Sequence, residues 1–277
     1  MVNGLAGQVA FITGAARGQG RAHAVRLARE GVDIVGVDIC ADIASMTYAN
    51  ASEADLAETI RLVEKEGRRM IGRKADVRDF AGLSAAFEEG HREFGRVDII
   101  LANAGIIRLG SESDDFLSDW NDVIDTNLTG VFHTVRVALP AMRAAGRGGS
   151  IVITSSTAGI KGTGRLQASG TAYSAAKRGV VALMQCLANA LAPEWIRVNT
   201  IHPTGVVSGM TENDAMRALM EQAAAGGVNA ISGMENALPL PLLQAEDIAN
   251  AVAFLVSDQA KFITGIQWPL DAGFTVR

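Results

Sequence analysis

Residues 9–20 read VAFITGAARGQG and place a short apolar run directly before a glycine-rich turn. Val9–Thr13 has the composition of a strand buried on both faces, and the residues from Gly20 onward have the spacing of a helix. Glycines let the backbone turn sharply and approach a ligand, and the N–H groups at a helix start favour an anion. The segment predicts a site for a pyrophosphate. A plain tight turn is the alternative, because the spacing G-x-x-x-G-x-G only approximates the general dinucleotide motif.

The rest of the chain continues this alternation of strand and helix. Strands are predicted at residues 9–13, 32–37, 70–75, 97–102, 150–154, 197–201 and 267–270, and helices at 20–29, 55–66, 80–94, 131–145, 173–192 and 247–256. Buried strands separated by helices predict an α/β doubly wound Rossmann fold, a parallel sheet with helices on both faces. Such sheets bind ligands beyond the carboxyl ends of their strands, so we expect the chemistry there.

Composition narrows the class of protein. The 277 residues carry a net charge of −5, which argues against a nucleic-acid partner. No repeat or linker divides the chain, so we expect one domain over residues 1–277. No apolar run is long enough to span a bilayer, and no signal peptide is evident. Cys40 and Cys186 fit no metal-site spacing and the four histidines form no cluster, so we expect cytoplasmic thiols and no bound metal.

An acidic residue follows the second predicted strand. The carboxylate of Asp38 could accept hydrogen bonds from both hydroxyls of an adenosine ribose and would repel a 2′-phosphate. Arg17, in the glycine turn, is evidence in the other direction because it could bind that phosphate. We give Asp38 more weight, since a like-charge clash costs more than a mobile arginine contributes. The prediction is NAD; an NADP-dependent reductase is the alternative, and a turn-capping role for Asp38 is the simpler explanation of the residue.

Two further strand ends carry candidate cofactor contacts. Asp76 and Val77 follow the third strand and could hold an adenine through a carboxylate and a backbone amide. The sequence Asn103-Ala104-Gly105 follows the fourth strand, where small residues would let the backbone approach a cofactor. Each motif is weak in isolation, and their shared position at strand ends is what favours them.

Tyr173 and Lys177 stand four residues apart on a predicted helix and therefore share one face. A free phenol has a pKa of about 10, and a nearby ammonium group favours the phenolate. Lys177 would thus make Tyr173 a proton donor and acceptor for a ketone or alcohol oxygen. A surface pair formed by chance is the alternative, and the surrounding residues have to decide.

Polar residues at two other places support this pair. Thr154, Ser155 and Ser156 end the fifth strand, where a serine hydroxyl could bind the reacting oxygen. The residues leave open whether Ser155 or Ser156 is the working serine. Asn127 is expected in a helix beneath the site, where its amide could hold a water that passes protons towards Lys177.

The glycine turn, Asn103-Ala104-Gly105, Asn127, the serine after the fifth strand and Tyr-x-x-x-Lys occur in the order found in short-chain dehydrogenases/reductases. The chain resembles that family over essentially its whole length. The resemblance implies a seven-stranded sheet of order 3-2-1-4-5-6-7, a homotetramer, and a catalytic tetrad of Asn127, Ser156, Tyr173 and Lys177. The implied cofactor-binding residues are Gly14, Arg17, Gly18, Gln19, Gly20, Asp38, Ile39, Cys40, Asp76, Val77, Asn103, Ala104, Gly105, Thr154, Tyr173, Lys177, Pro203, Thr204, Gly205, Val206 and Ser208.

Within the family, the chain resembles the subgroup that contains carveol dehydrogenase and the mycofactocin-associated oxidoreductases. The resemblance rests on the residues around the glycine turn, on residues 37–40, 202–206 and 271–274, and on an insertion at residues 41–54. It implies that the insertion closes over a tightly held NAD, which an external redox carrier regenerates in place. A plain surface loop is the alternative for this insertion. Sixteen residues separate Ser156 from Tyr173, more than the family usually has, and the extra length falls in residues 162–170.

Residues 205–241 are rich in methionine and alanine and are predicted to form a helical lid over the substrate. Flexible thioethers such as those of Met210, Met216, Met220 and Met234 suit an apolar pocket, although they suit core packing equally well. The sequence therefore predicts an oxidoreductase that interconverts an apolar, terpenoid-like secondary alcohol and its ketone. A non-catalytic dinucleotide-sensing regulator is the alternative from another functional class.

Overall fold

In the computed structural model, residues 4–110, 112–163, 167–224 and 235–277 are described. Their strands form one parallel sheet in the order β3-β2-β1-β4-β5-β6-β7, which confirms the predicted fold class. The strands are β1 (Val9–Thr13), β2 (Asp33–Asp38), β3 (Met70–Lys74), β4 (Ile99–Ala102), β5 (Gly149–Thr154), β6 (Ile196–Pro203) and β7 (Gln267–Leu270). β1 pairs with both β2 and β4, so the strand order reverses beside the glycine turn that follows β1. Ligands of open sheets bind at this kind of position.

Helices cover both faces of the sheet. They are α1 (Gly18–Arg29), α2 (Glu53–Lys65), α3 (Phe80–Phe94), α4 (Phe116–Ile124), α5 (Gly130–Ala145), α6 (Ala168–Leu191), α7 (Asp214–Ala224) and α8 (Ala245–Val256), with a π-helical turn at Asp125–Thr129. Within the described ranges, none of the helices has both the length and the apolar character needed to cross a bilayer.

The two faces of β1 explain why its sequence is apolar throughout. Ala10 and Ile12 pack in a core with residues of α1 and α8, whereas Val9 and Phe11 pack in a second core on the opposite face. All five residues of the strand are buried. A strand whose side chains enter two cores has no solvent side, so its sequence lacks the alternation of a half-exposed strand.

Two helices differ from the sequence prediction. α4 is absent from the prediction, because its nine residues carry several polar groups; Asp115 caps its start by accepting a hydrogen bond from the Ser118 amide. α6 begins at Ala168, five residues before Tyr173, so the pair of interest lies inside a helix and not at its start. α7 lies in the stretch predicted as a helical lid. Residues 225–234 of that lid, including Met234, are outside the described residues.

His23 is a buried polar side chain in α1 that makes the stability of the fold depend on pH. Both ring nitrogens are buried without a hydrogen-bond partner, and burial lowers the pKa of the imidazole to about 4. Because an unfolded histidine has a pKa of about 6.5, the unfolded chain binds the proton more readily, and this difference destabilises the fold as pH falls from about 6.5 to about 4. The loss attributable to His23 approaches about 3 kcal/mol at the acid end.

His23→Leu is therefore expected to reduce the fall in the free energy of unfolding between pH 7 and pH 4.5. Leucine also removes two unsatisfied nitrogens, so we expect higher stability at neutral pH. Urea unfolding at several pH values measures both effects. His91→Gln, on the half-buried face of α3, removes a second histidine and is the control. An unchanged slope in His23→Leu would show that other groups cause the acid destabilisation.

Candidate active site

A cleft of about 890 Å³ lies beyond the carboxyl ends of the strands. Most residues of the predicted catalytic and cofactor-binding sets line it. The exceptions are Gly20, Cys40 and Asn127, which lie behind the cleft wall. The structure therefore places the predicted residues, from the turn after β1 to the segment after β6, around one continuous cleft. The volume is within the range of small-molecule and cofactor sites.

The glycine turn is shaped by close backbone contacts. A Cβ on Gly14, whose φ is +68°, would lie 2.9 Å from the Ala104 Cα. A Cβ on Gly20 would lie 1.9 Å from the carbonyl oxygen of Gly14, so Gly20 serves the packing of α1 against the turn. No side chain caps the start of α1, and its first turn holds no acidic residue. Its first N–H groups are suited to binding an anionic group in the cleft.

Asp38 lies at the far end of the cleft from Tyr173. One carboxylate oxygen accepts a hydrogen bond from the Ala16 amide at 3.0 Å, and the other accepts one from the Cys40 amide at 3.2 Å. Burial raises the pKa of Asp38, and these two backbone hydrogen bonds act in the opposite direction. The backbone of Cys40, with φ of +44°, thus serves to orient the carboxylate. Asp38 remains on the cleft wall, where it can meet a ribose.

Two predicted cofactor contacts have protein partners that the sequence did not indicate. The guanidinium of Arg17 donates to the carbonyl of Ala49 at 2.7 Å, so Arg17 is directed towards the insertion. The carboxylate of Asp76 accepts from the backbone amide of Arg78 at 2.9 Å and forms an ion pair with the Arg78 side chain at 2.7 Å. Both residues line the cleft; the charge of Asp76 is paired with Arg78, whereas Arg17 uses one N–H group on a neutral carbonyl.

Ser156, Tyr173 and Lys177 meet at the other end of the cleft. The Ser156 side chain is hydrogen-bonded to the Tyr173 hydroxyl. Lys177 is 2% exposed; its ammonium group lies 5.5 Å from the centre of the Tyr173 ring and donates to the carbonyl of Thr154 at 2.8 Å. Burial lowers the pKa of Lys177 to about 8. The four-residue spacing places Tyr173 and Lys177 on the same face of α6. The Thr154 carbonyl holds the ammonium group of Lys177 beside the phenol of Tyr173.

The pKa of Tyr173 differs from the sequence expectation. Burial raises it, and the hydrogen bond with Ser156 only partly opposes that effect. We expected Lys177 to lower the value, but burial is the largest influence on this phenol and raises its pKa. Tyr173 is therefore protonated in the structure, and is ready to donate its proton.

The two candidate serines have different surroundings. The hydroxyl of Ser155, which is 2% exposed, donates to the carbonyl of Lys177 at 2.7 Å and ties β5 to α6. Ser156 contacts Tyr173 instead, and its backbone carbonyl accepts from the imidazole of His202 at 3.0 Å. The geometry favours Ser156 as the serine at the reacting centre. Sequence reasoning missed the contact of His202, although this residue directly precedes the segment 203–206 that lines the cleft.

Asn127 holds the loop after β4 in place. Its amide nitrogen donates to the carbonyls of Ile106 and Val123, each at 2.8 Å, and its oxygen accepts from the Ile106 amide at 3.1 Å. Both of its N–H groups are therefore used within the protein. The residue lies in the π-helical turn between α4 and α5, not within a regular α-helix.

The insertion reaches the chemical end of the cleft. Ile43 is buried in a small apolar cluster with Ile106, Val123 and Ala172, and the Tyr173 ring packs against that cluster. Tyr48 also lines the cleft, a residue that sequence reasoning did not single out. The available signal was that the chain has only two tyrosines and that one of them lies in the insertion.

Known proteins are similar to this chain in sequence and in structure. Residues 8–218 match the family described as short chain dehydrogenase. This chain belongs to the short-chain dehydrogenase family. The short-chain dehydrogenase is 52% identical over 270 residues to an oxidoreductase of Mycobacterium tuberculosis, covering 98% of this chain and 97% of the relative. It is 45% identical over 276 residues to (-)-trans-carveol dehydrogenase of Rhodococcus erythropolis, covering 98% of each.

A solved structure is also similar to this short-chain dehydrogenase. The crystal structure of carveol dehydrogenase from Mycobacterium avium in complex with NAD superimposes with a TM-score of 0.89 at 46% identity. The match covers 98% of this chain and 99% of that one. The family and the fold expected from the sequence are therefore confirmed.

Proposed function

We propose that the protein is an NAD-dependent oxidoreductase that interconverts a secondary alcohol and a ketone, with Tyr173 as the general acid and base. The observation that carries the proposal is the contact of Ser156 with Tyr173 beside the buried Lys177, in the same cleft as Asp38. The carveol dehydrogenase relatives, one of them solved with NAD, support the same reaction class and cofactor.

The residues at the chemical end have separate tasks in this reaction. Ser156 donates a hydrogen bond to the substrate oxygen and fixes its position. Tyr173 takes the hydroxyl proton during oxidation and returns it during reduction. The ammonium group of Lys177 favours the phenolate of Tyr173 while that proton is away. Asn127 acts through the loop after β4, which it anchors at Ile106.

The residues of the cleft fit NAD. When bound, NAD supplies the carbon centre that accepts the hydride during oxidation. The uncapped start of α1 suits the pyrophosphate, and the oriented carboxylate of Asp38 suits the adenosine ribose. Arg17 donates to Ala49 and so is held towards the insertion, which weakens the argument for a 2′-phosphate there. A preference for NAD over NADP follows from Asp38.

Asp38→Asn is expected to reduce the discrimination against NADPH by about tenfold or more, because the variant removes a like-charge clash. Asparagine has nearly the same shape and can still accept one of the two backbone hydrogen bonds. Fluorescence titration with NADH and NADPH measures the change. Asp42→Asn, whose carboxylate accepts from the Asn50 amide and does not line the cleft, is the matched control. A variant with wild-type discrimination would show that Asp38 does not select the cofactor.

We further propose that the insertion at residues 41–54 retains NAD, which a mycofactocin-like redox carrier reoxidises in place. Three contacts hold the insertion across the cleft. Ser45 donates to the Asp122 carboxylate of α4 at 2.5 Å, Thr47 bonds with the backbone of Leu109 at 3.1 and 3.3 Å, and Ala49 accepts from Arg17. The contacts join the insertion to Arg17 on one side and to Leu109 and α4 on the other, so opening it requires breaking them.

Ser45→Ala is expected to accelerate NADH release by about tenfold, since a hydrogen bond to a charged group contributes about 1.5–3 kcal/mol. Displacement of NADH, followed by the loss of its fluorescence, measures the release rate. Ser113→Ala is the matched control, because Ser113 donates to Asp119 of the same helix at 2.6 Å without touching the insertion. Equal release rates in the wild type and in Ser45→Ala would contradict retention by this contact.

For the substrate, we propose an apolar secondary alcohol of terpenoid type. Apolar side chains line the cleft at Ile107, Leu109, Met210, Met216 and Leu219, and the carveol dehydrogenase relatives support this class. Turnover of small charged hydroxy acids in preference to cyclic apolar alcohols would contradict it.

We also propose a homotetramer. Phe116 and Leu117 of α4 and Phe132 of α5 are 51%, 61% and 46% exposed, and an exposed apolar group of this kind marks an interaction surface. The family resemblance implies association through long helices, and α5 is one of the long helices of this chain.

A dinucleotide-sensing regulator is the competing function from another class. Such a protein needs the Asp38 end of the cleft but not the Ser156–Tyr173–Lys177 group. Formation of NADH from NAD and a secondary alcohol, measured by absorbance, separates the two functions. Binding of NAD without turnover of any secondary alcohol, or of any ketone with NADH, would favour the regulator.

A further inference from the structure

Tyr48 is held between two fixed neighbours. Thr47 on one side is bonded to the backbone of Leu109, and the carbonyl of Ala49 on the other side accepts from Arg17. The apolar side chain of Ile43, from the same insertion, is packed in the cluster that contacts the Tyr173 ring. Anchors on both sides limit where the backbone of Tyr48 can go, so its side chain is presented to the cleft in a defined position.

The hydroxyl of Tyr48 lies near the chemical end of the cleft. It accepts a hydrogen bond from the backbone amide of Ile107 at 3.4 Å, and it is close enough to Tyr173 for the two phenols to influence one another electrostatically. Ile107 directly follows the residue anchored by Asn127. The hydroxyl thus lies on the cleft wall beside Ile107, within electrostatic reach of Tyr173.

Among the described residues, the proton of this hydroxyl has no acceptor. Burial raises the pKa of Tyr48 to about 12, so the group is protonated at neutral pH. The contact with Ile107 uses an oxygen lone pair and leaves the proton free to be donated. Within the described ranges, no acceptor for that proton accompanies the Ile107 contact. A half-buried donor on an apolar wall favours a ligand that supplies an acceptor.

The reacting oxygen of the substrate is not the natural acceptor. A carbonyl oxygen has two lone pairs, and Ser156 and Tyr173 already supply one donor each. Tyr48 belongs to the insertion, a different element, and its hydroxyl is hydrogen-bonded to the backbone amide of Ile107 on the cleft wall. A second oxygen on the substrate, separated from the reacting carbon, would match this third donor.

We propose that Tyr48 is a specificity-determining residue that donates its phenolic proton to a second oxygen of the substrate. The inference rests on the proposed alcohol–ketone function and narrows its substrate class. The preferred substrates are largely apolar secondary alcohols or ketones that carry a further hydroxyl, carbonyl or ether oxygen on the side facing the insertion. The insertion then serves substrate selection as well as cofactor retention.

The test compares cyclohexanol with cyclohexane-1,3-diol and cyclohexane-1,4-diol, in the wild type and in Tyr48→Phe. The wild type should show a higher kcat/KM for at least one diol than for cyclohexanol. Tyr48→Phe should lower that preference by about tenfold, mainly through KM, because a lost hydrogen bond in a buried site has about this effect. Asp42→Asn is the control, since Asp42 belongs to the same insertion but does not line the cleft, and it should affect the alcohols alike.

The same comparison is made by binding, so that it does not depend on turnover. Calorimetric titration of the alcohols into Tyr173→Phe saturated with NAD, with and without Tyr48→Phe, reports affinity alone. A diol preference that Tyr48→Phe removes supports the proposal even if the wild type oxidises no alcohol, which would instead refute the proposed function. A preference unchanged by Tyr48→Phe, an equal loss for all three alcohols, or no preference for either diol would overturn the proposal.

Discussion

Tyr173→Phe is expected to lower kcat for alcohol oxidation by about a thousandfold or more, with NAD affinity changed by less than about twofold. The variant removes the only atom of this side chain that can accept the hydroxyl proton, while its ring still fills the space beside the Ile43–Ile106 cluster. Ser156 and Lys177 remain in place, so binding and orientation survive while the proton has no acceptor. Steady-state NADH formation and NADH titration measure the two quantities separately.

Tyr48→Phe is the matched control, because it removes the other phenol of the chain from the same cleft. It should lower kcat far less than Tyr173→Phe, since its expected effect falls on KM. A Tyr173→Phe enzyme that keeps a tenth of the wild-type kcat would contradict the proton-transfer role of Tyr173. A parallel loss of NAD affinity would point to a change in the cleft itself.

Much of the fold could be predicted because its strands have a simple physical cause. β1 enters two cores, so its five residues are all apolar or small, and the same holds for most of β4 and β5. α4 was missed because its buried side, which includes Asp119 and Val123, contains a carboxylate as well as an apolar residue. A carboxylate such as Asp119, which accepts from Ser113, satisfies its charge only in the folded chain, and local periodicity does not reveal this.

The sequence predicted which residues line the candidate site, but not which hydrogen-bond partners they have. Strand ends in a parallel sheet meet at one edge, so residues as distant as Asp38 and Tyr173 could be assigned to one cleft. The partners of each residue depend on contacts far apart in sequence. The raised pKa of Tyr173 follows from burial that no local pattern encodes, and the two N–H groups of Asn127 are used by Ile106 and Val123.

The insertion shows where sequence reasoning reached its limit. Resemblance marked residues 41–54 as a cover for the cofactor, but not the donor that Tyr48 brings to the substrate side. The position of Tyr48 depends on Thr47 meeting Leu109 and on Ala49 meeting Arg17, two pairings between segments distant in the chain. These contacts are visible only after the chain has folded.

Lys177→Met is expected to lower kcat by about a hundredfold to a thousandfold, and to shift the ascending limb of the pH profile of kcat/KM for oxidation to higher pH. Methionine fills the buried volume but has no charge. Oxidation requires Tyr173 to accept a proton, so its rate rises with pH as the phenol deprotonates. Without the ammonium group, nothing at that position opposes the rise that burial causes in the pKa of Tyr173.

The direction of that shift separates the electrostatic role of Lys177 from a structural one. Burial lowers the pKa of Lys177 to about 8, so the free protein has the cation beside the phenol below about that pH and loses it above. The two groups titrate as a coupled pair, and the wild-type limb belongs to the pair. Without the cation, Tyr173 titrates by itself. The ascending limb of the pH profile of kcat/KM should then lie about one pH unit or more higher. Loss of the bond to Thr154 also destabilises the fold, which thermal unfolding records independently. A lower kcat with an unmoved limb would mean that Lys177 only positions its neighbours, because a lost cation cannot leave the phenol unchanged.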